Sequence, residues 1–417
     1  AAWGFLELVT VLQSQIFTHL PHGLGFSTEP IWWPLPLLAL SGVLVALTIR
    51  YLPGTGGHLP AEGFKAGGAP TPIEMPGVFF AALASLALGV VIGPEAPLIA
   101  LGGGLGVCAV RLAKRDVPDR TMTVVAAAGS FAAVSTLLGS PIAGAFLLME
   151  ASGLAGAMME LVLLPGLVAA GIGSLVFVGL GAWSGLGTFS LAIPNLPHLA
   201  RPDGAELGWA IGVGLAAALL GSGIRWLALF LQARVTPRMI VLTPLVGLAV
   251  AGLAIAFAEG TGKGSSEVLF SGQSALGPLL AHSATYSLGA LVLLVACKGL
   301  AYGASLSSFR GGPIFPALFV GAAGGMALSH APGLPLVAGA AMGMGAMMVV
   351  MLRLPLTSVL IPSLLLLSDE VEVMPLVIVA VAVAYVASSR FTATPRPTAP
   401  PTPASAPPAE AVGASRG

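Results

Sequence analysis

Three segments rich in glycine and proline interrupt the apolar stretches of this 417-residue chain, and their composition suits ion binding. They are Pro53-Gly-Thr-Gly-Gly-His-Leu-Pro60, Gly93-Pro-Glu-Ala-Pro97 and Arg310-Gly-Gly-Pro-Ile-Phe-Pro316. Each is expected to be irregular backbone that leads into a helix. A helix N-terminus presents unpaired N–H groups and about half a positive charge, and glycine lets an ion come close to the backbone. Together the segments predict an anion-binding site; three tight surface loops are the alternative.

Glu95 is the acidic residue of the second segment and stands between the apolar residues Ile92 and Leu98. Within a membrane an ionised carboxylate costs at least about 2.5 kcal/mol, and it is tolerated where it faces a cavity, a partner or a proton path. At a helix N-terminus the carboxylate can itself occupy the anion site, and protonation would release it. The sequence therefore predicts that Glu95 gates the site; a helix cap at the bilayer edge is the alternative.

The composition places these segments in a membrane. The chain is 56% hydrophobic and only 8% charged, with 17 basic and 17 acidic side chains, whereas a soluble domain carries roughly 25% charged residues. The zero net charge and the lack of a basic stripe exclude a nucleic-acid partner, and the presence of only two cysteines excludes a disulfide scaffold. We predict a multi-pass protein of the cell membrane that needs the lipid bilayer, no metal and no cofactor.

Apolar stretches close to the length of a membrane span, about 20 residues, recur along the chain. They lie near 33–50, 77–93, 97–110, 122–149, 159–183, 207–232, 239–258, 283–303, 313–330, 334–366 and 374–389, with one more from Trp3 to Leu20. The 56 glycines and 34 prolines are too many for uninterrupted helices. The predicted fold is an all-α polytopic membrane protein with broken helices, in a transmembrane domain over residues 1–391.

The two halves of the chain repeat one pattern. Gly129 and Gly343 each begin a run of small and apolar residues, and a proline follows twelve positions later, at Pro141 and Pro355. Weak repeats with paired broken segments are typical of transporters and channels whose site lies at the repeat interface. We predict two inverted-topology repeats, roughly 33–183 and 207–389. Chance similarity between two Gly-rich segments is the alternative.

Two polar regions lie outside the predicted spans. The loop from Arg111 to Arg120 holds four basic residues, so the positive-inside rule predicts that it faces the cytoplasm. Residues 392–417 are rich in Pro, Ala, Thr and Ser, a composition that cannot bury enough apolar area to fold. We predict a disordered tail there.

The ordered motifs resemble those of the CLC family of chloride channels and proton/chloride antiporters, and the chain is similar to a bacterial member. Gly54-Thr-Gly56 resembles the family's Gly-Ser-Gly-Ile-Pro motif, Gly93 to Pro97 its Gly-Arg/Lys-Glu-Gly-Pro motif, and Gly311 to Pro316 its Gly-Gly-Ile-Phe-Ala-Pro motif. Pro141-Ile-Ala-Gly144 and Arg353-Leu-Pro-Leu-Thr357 resemble two further motifs. The similarity runs from about Leu52 to Leu366.

This resemblance implies a fold of two inverted repeats of tilted, broken helices. It also implies a homodimer in which each subunit has its own pathway for chloride or a similar small anion. Glu95 would be the gating glutamate, and Thr55 would take the place of the family's central serine. The anion-binding groups would be Thr55, Gly56 and the amides of Ile314 and Phe315.

Several residues depart from the family motifs. Pro94 replaces a basic residue and Ala96 replaces a glycine. Pro313 removes an N–H from the third motif, so the register of the amides there can shift by one residue. The family's pore tyrosine has no clear match in the segment that follows Tyr385.

The end of one helix bears on proton coupling. Antiporters that this chain resembles carry two successive acids there, and the matching residues are Glu150 and Ala151. Ala151 falls on the internal proton-transfer position, where the family's channels also lack an acid. The leading prediction is therefore a chloride channel. The alternative is a proton-coupled antiporter of the same fold, with Glu150 or Glu160 as the proton relay.

Other functions fit less well. A fluoride exporter of the same fold would lack the central serine, so the hydroxyl of Thr55 weighs against that function. An enzyme would need a polar catalytic set within the bilayer, whereas the six histidines are scattered at segment ends. A purely structural membrane protein would leave Glu95 and the broken helices unexplained. We therefore expect no enzymatic activity.

Overall fold

The structure is a computed structural model that describes residues 1–64, 69–113, 117–153, 157–184, 202–366 and 370–391. The described residues form helices and contain no β-strand. The α-helices are α1 Ala2–Ser14, α2 Leu20–Gly23, α3 Pro34–Tyr51, α4 Met75–Ala87, α5 Glu95–Ala113, α6 Asp119–Leu138, α7 Pro141–Ser152, α8 Ala157–Ser184, α9 Gly204–Val235, α10 Met239–Thr261, α11 Gln273–Ala281, α12 Leu288–Ser308, α13 Ile314–Leu328, α14 Leu336–Leu352, α15 Pro355–Leu365 and α16 Glu370–Phe391. A π-helix, Gln15–His19, joins α1 to α2, and 3₁₀ helices cover Pro53–Gly56, Pro60–Glu62, Thr236–Arg238, Ser265–Glu267 and Ser283–Thr285.

The apolar helices fall into two length classes. In the described ranges, seven helical stretches of at least 18 residues are apolar enough to cross a membrane. Five further apolar helices, α4, α7, α13, α14 and α15, have only 10 to 17 residues. A full span typically needs about 20 residues, so these helices are shorter than a typical span. The prediction of a multi-pass membrane protein with broken helices is confirmed.

Two apolar stretches that the sequence suggests as single segments, 122–149 and 334–366, are each two helices. The first breaks at Gly139, where φ is +61°, and α7 begins two residues later with a proline. The second breaks at Arg353, where φ is +62°, and α15 also begins two residues later with a proline. A proline fits the first turn of a helix but cannot continue one from the preceding turn. The first stretch therefore supplies one helix of span length, α6, and the short helix α7, whereas the second supplies two short helices, α14 and α15.

The two repeats contain the same order of helices, since α5 to α8 correspond to α13 to α16. In the first repeat Gly102 of α5 packs against Gly129 of α6, and in the second Gly321 of α13 packs against Gly343 of α14. Gly102 and Gly321 both lie seven residues after the first residue of their helices. A Cβ atom on any of the four glycines would overlap the backbone of the facing helix. The structure thus has the two inverted repeats predicted from the sequence.

Burial differs between the repeats. Every residue of α14 from Val337 to Leu352 is buried, whereas α6 is buried mainly in its second half, from Phe131 to Leu138. The core of the molecule therefore lies around α13 and α14. Residues 114–116 of the charged loop and the predicted tail, 392–417, lie outside the described residues.

Candidate functional site

Two of the three Gly- and Pro-rich segments meet between the repeats. The N–H of Gly93 donates to the carbonyl of Gly312 at 2.7 Å, and the N–H of Gly312 donates to the carbonyl of Gly93 at 2.6 Å. A side chain at either glycine would overlap the carboxylate of Glu95. Because α5 and α13 begin just beyond this antiparallel bridge, both helix N-termini approach the same point.

The side chain of Glu95 is fully buried at this point. Its Oε1 accepts a hydrogen bond from the N–H of Phe315 at 2.9 Å, and the amide of Ile314 also interacts with the carboxylate. Its Oε2 has no hydrogen-bond partner among the described residues. A buried polar atom without a partner costs about 1–3 kcal/mol. The carboxylate of Glu95 therefore occupies the amides predicted to bind an anion, and it is only partly satisfied there.

Tyr302 of α12 fixes the start of α13. The side chain is fully buried, and its hydroxyl donates to the carbonyl of Pro313 at 2.7 Å. Since Pro313 has no N–H, the free amides of this helix start with Ile314 and Phe315. Tyr302 is not among the predicted site residues. A tyrosine in an apolar span is nevertheless a usable signal, because the chain has only four.

The segment around Gly54 does not begin an α-helix, contrary to the prediction. It forms the 3₁₀ turn Pro53–Gly56, in which φ is +82° at Gly54 and +49° at Thr55, and a right-handed helix requires negative φ. Thr55 is exposed, and its carbonyl accepts a hydrogen bond from Nε of Arg310 at 3.2 Å. Gly56 is buried, and a Cβ there would lie 3.0 Å from the Cβ of Ala81. This segment joins the site through Arg310 instead of through a helix N-terminus.

Arg310 is a buried cation that sequence reasoning did not assign to the site. Its side chain is only 5% exposed. Nη1 donates to the carbonyls of Ser308 at 3.5 Å and Phe309 at 3.3 Å, and the backbone N–H donates to Oγ of Ser85 at 3.2 Å. An arginine next to two glycines is equally typical of an exposed surface loop. Its burial is therefore visible only in the fold.

A cavity of about 550 Å³ begins beside this site. It follows α5 from Ala96 to Arg111, which is about 22 Å along a helix axis. Arg310 and Gly56 also contribute to its wall. The cavity thus connects the residues just after Glu95 with the basic end of α5.

The family described as voltage gated chloride channel matches residues 29–389 of this sequence. The chain belongs to the CLC family. Among its relatives, the "Putative ion-transport protein YfeO" of Shigella boydii serotype 4 is 29% identical over 333 residues, which make up 79% of this chain and 76% of the relative. The protein of the same name from Escherichia coli O7:K1 has the same identity and coverage.

Solved CLC structures share this fold. A slow cyanobacterial Cl⁻/H⁺ antiporter matches with a TM-score of 0.71 and 20% identity, over 94% of this chain and 91% of its own. A CLC-type fluoride/proton antiporter matches with a TM-score of 0.65 and 18% identity, over 94% of this chain and 92% of its own. The predicted CLC-type fold is confirmed. As a member of this family, the protein is a membrane transporter of anions.

The two acids considered for proton relay lie in different surroundings. Glu150, half-buried at the end of α7, accepts hydrogen bonds from the N–H of Leu356 at 2.8 Å and from the N–H and hydroxyl of Thr357, each at 2.7 Å. Its carboxylate thus caps α15. Glu160 is exposed in the first turn of α8, and Ala151, which the motif resemblance aligns with the proton-transfer position, is half-buried beside Glu150.

Lys298 is a second buried cation that sequence reasoning missed. It is fully buried in α12, and Nζ lies 4.4 Å from the ring centroid of Phe319. The ammonium group has three N–H groups and lies within hydrogen-bonding distance of four consecutive backbone carbonyls, those of Glu267, Val268, Leu269 and Phe270, at 2.9, 3.0, 2.9 and 3.4 Å. These bonds hold the loop before α11 against α12, so Lys298 has a structural explanation within this CLC fold.

The region where the CLC family places its pore tyrosine is helical here. The last helix, α16, continues through it to Phe391. Tyr385 is 40% exposed, and its ring centroid lies 5.8 Å from the guanidinium carbon of Arg353. Among the described contacts, none joins Tyr385 to Glu95.

Proposed function

We propose that the protein is a CLC-type channel that conducts chloride or a similar small anion across the cell membrane, with Glu95 as its gate. One observation carries this proposal: the carboxylate of Glu95 sits on the amide of Phe315 at the start of α13. A carboxylate bound at a helix N-terminus stands where a free anion would bind.

The proposed gating follows from the partial satisfaction of Glu95. Protonation would remove the negative charge that favours the amides of Ile314 and Phe315, and an anion from the pathway would take the vacated place. An anion can also compete directly, because Oε2 of Glu95 has no partner to lose among the described residues. Gly56, which lines the cavity, and its neighbour Thr55 would also contact the anion.

The surroundings of Glu150 and Glu160, the two candidates for a proton relay, favour passive conduction over proton coupling. The methyl group of Ala151 cannot bind a proton. Glu150 uses its carboxylate to cap α15, and Glu160 lies exposed on α8. A proton-coupled antiporter remains the second candidate, with Glu150 or Glu160 as the relay, and the solved structures that share this fold include antiporters. Fluoride export is a weaker third candidate, because Thr55 carries a hydroxyl.

We further propose that the protein works as a homodimer, as the resemblance to the family implies. One face of α8 supports this assembly, because it exposes large apolar side chains at helical spacing. These are Leu164, Val168, Ile172 and Leu175, which are 69%, 54%, 57% and 73% exposed. Molecular mass in detergent and cysteine cross-linking at Ile172→Cys would test the assembly, and a monomer under both measurements would contradict it.

The experiment that tests the function measures chloride and proton movement together in vesicles that contain the purified protein. We expect chloride to leave loaded vesicles down its gradient, with no fixed ratio of protons to chloride. An imposed proton gradient should not drive chloride uphill. Uphill chloride movement would replace the channel with the antiporter, and neutralising Glu150 and Glu160 in turn would then identify the relay. Vesicles without protein are the control. If vesicles with the protein release chloride no faster than this control, both the channel and the antiporter are rejected.

A further inference from the structure

The guanidinium group of Arg310 is only partly used by the fold. A guanidinium has five N–H groups. Nε donates to the carbonyl of Thr55, and Nη1 donates to the carbonyls of Ser308 and Phe309. No acceptor among the described residues takes the two N–H groups of Nη2. The side chain lines the cavity, so these two donors belong to a cation that is 95% buried and faces an open space.

The other charges of the cavity leave it attractive to anions. Arg111 lines the opposite end. Among the described residues of the wall the acidic side chain is Glu74, whose carboxylate accepts the N–H of Thr71 at 2.7 Å and its hydroxyl at 2.8 Å. Glu62 attracts the guanidinium of Arg310, but Glu62 is exposed, and water screens such a charge.

We propose that Nη2 of Arg310 binds a small monovalent anion of halide size where the cavity meets Gly56 and Gly311, so that chloride passes a fixed cation before it reaches Glu95. This inference rests on the proposed function only in assuming that chloride moves through the cavity past Arg310 towards Glu95. Nη2 is the part of this cation that has no acceptor among the described residues and is open to the cavity, so an anion there would complete the partners of the guanidinium. The helix N-termini at Glu95 would then supply the second binding position and not the first.

The geometry also removes the advantage that a planar oxoanion would have over a halide. Carboxylates and other planar oxoanions gain most from a guanidinium when two parallel N–H groups from different nitrogens grip them. Here the carbonyls of Thr55, Ser308 and Phe309 already occupy Nε and Nη1. Only Nη2 is left to bind an anion. The N–H groups of a single nitrogen can donate to a spherical halide as well as to an oxoanion. We therefore expect no preference for nitrate or bicarbonate at Arg310.

A binding measurement tests this site independently of transport. Crystals of the protein grown in bromide should give an anomalous peak in contact with Nη2 of Arg310, and the peak should be absent in Arg310→Gln. Absence of a peak in the wild-type crystal would overturn the proposal. If bromide is bound but vesicles with the protein show no chloride flux, the proposed channel is wrong while the site stands.

Flux measurements separate anion binding from a purely structural role. In Arg310→Gln the chloride concentration that gives half-maximal flux should rise about tenfold, whereas Arg310→Lys, which keeps the charge, should stay near the wild type. Arg225→Gln is the matched control, because Arg225 is half-buried and donates to the carbonyl of Val350 at 3.2 Å without lining the cavity. If Gln and Lys both lower the melting temperature and leave the half-maximal concentration unchanged, Arg310 only holds the turn at Thr55. If Arg310→Gln does not fold, the proposal is tested by the bromide peak in wild-type crystals and by the half-maximal chloride concentration of Arg310→Lys.

Discussion

The two repeats have the same helices, but they contribute different groups where they meet. The first repeat contributes carboxylates, Glu95 at the start of α5 and Glu150 at the end of α7. The second contributes backbone amides: Phe315 donates to Glu95 at 2.9 Å, and Thr357 donates to Glu150 at 2.7 Å. Both acids therefore cross the interface to a helix N-terminus, where about half a positive charge stabilises an anion.

The two pairings differ in how well the carboxylate is satisfied. Glu150 is half-buried and holds three donors of α15. Glu95 is fully buried, and its Oε2 has no partner among the described residues. A carboxylate with many donors is hard to displace, whereas one with few can exchange with a proton or an anion. The comparison teaches that one type of contact between the repeats can satisfy a carboxylate fully, as at Glu150, or leave it partly unpaired, as at Glu95, where we propose that it serves transport.

The largest effect is expected where the repeats are alike, at the glycines that bring two helices together. A Cβ on Gly325 of α13 would overlap the carbonyl of Gly339, and one on Gly102 of α5 would lie 2.5 Å from the carbonyl of Gly129. Because neither contact involves a flexible side chain, Gly325→Ala and Gly102→Ala should each lower the free energy of unfolding by about 3 kcal/mol. Thermal melting in detergent would measure this loss.

Gly324 provides the matched control for this prediction. It is the neighbour of Gly325 on the same helix, and a Cβ there would meet nothing within 4 Å. Gly324→Ala should leave the melting temperature unchanged or slightly raised, because alanine favours helix over glycine. Equal melting of the Gly324 and Gly325 variants would mean that α13 and α14 do not pack this closely.

The next largest effect concerns the poorly satisfied carboxylate. Glu95→Gln keeps the shape of the side chain and removes its charge, so the gate should no longer respond to protons. In the wild type chloride flux should rise as the pH falls, because protonation releases Glu95 from the amide of Phe315. In the variant flux should be high and independent of pH, as measured in vesicles over a pH series. Unaltered pH dependence in Glu95→Gln would remove Glu95 from the mechanism.

Much of this architecture is readable in the sequence. The spacing from Gly129 to Pro141 and from Gly343 to Pro355 predicts the repeat, because both glycines pack helix against helix and both prolines begin a helix. The isolated acid Glu95 and the amides of Ile314 and Phe315 are also predicted together, and the fold brings them together. These positions can be predicted because glycine, proline and a buried charge each have few acceptable environments.

The turn at Gly54 and the burial of two cations could not be predicted, because they depend on backbone conformation and on contacts between distant segments. The sequence predicts a helix after Gly54, but positive φ at Gly54 and Thr55 makes a turn there, and threonine gives little warning of such a conformation. The roles of Arg310 and Lys298 arise from carbonyls that other segments bring to them. No local pattern in the sequence records such long-range partners.

A smaller effect is expected at the well satisfied carboxylate. Glu150→Gln removes a charge that accepts three donors from α15, and it should lower the free energy of unfolding by about 2 kcal/mol. Glu160→Gln is the control, since Glu160 is exposed, and it should change stability by less than about 0.5 kcal/mol. If Glu150→Gln instead leaves stability intact and abolishes proton-coupled chloride uptake, Glu150 is a relay and the division between the two carboxylates is wrong.

The smallest effect should come from Ser140, which caps the helix equivalent to α15 in the first repeat. Its Oγ accepts the N–H of Ala143 in α7 at 3.2 Å, whereas no local side chain caps α15, which depends on Glu150. Ser140→Ala should lower the free energy of unfolding by about 1 kcal/mol, because a neutral local cap is weaker than a carboxylate with three donors. Ser389→Ala is the control, since Ser389 is exposed and bonds only within its own helix. A loss for Ser140→Ala larger than that for Glu150→Gln would mean that the contact across the repeats is not the stronger cap.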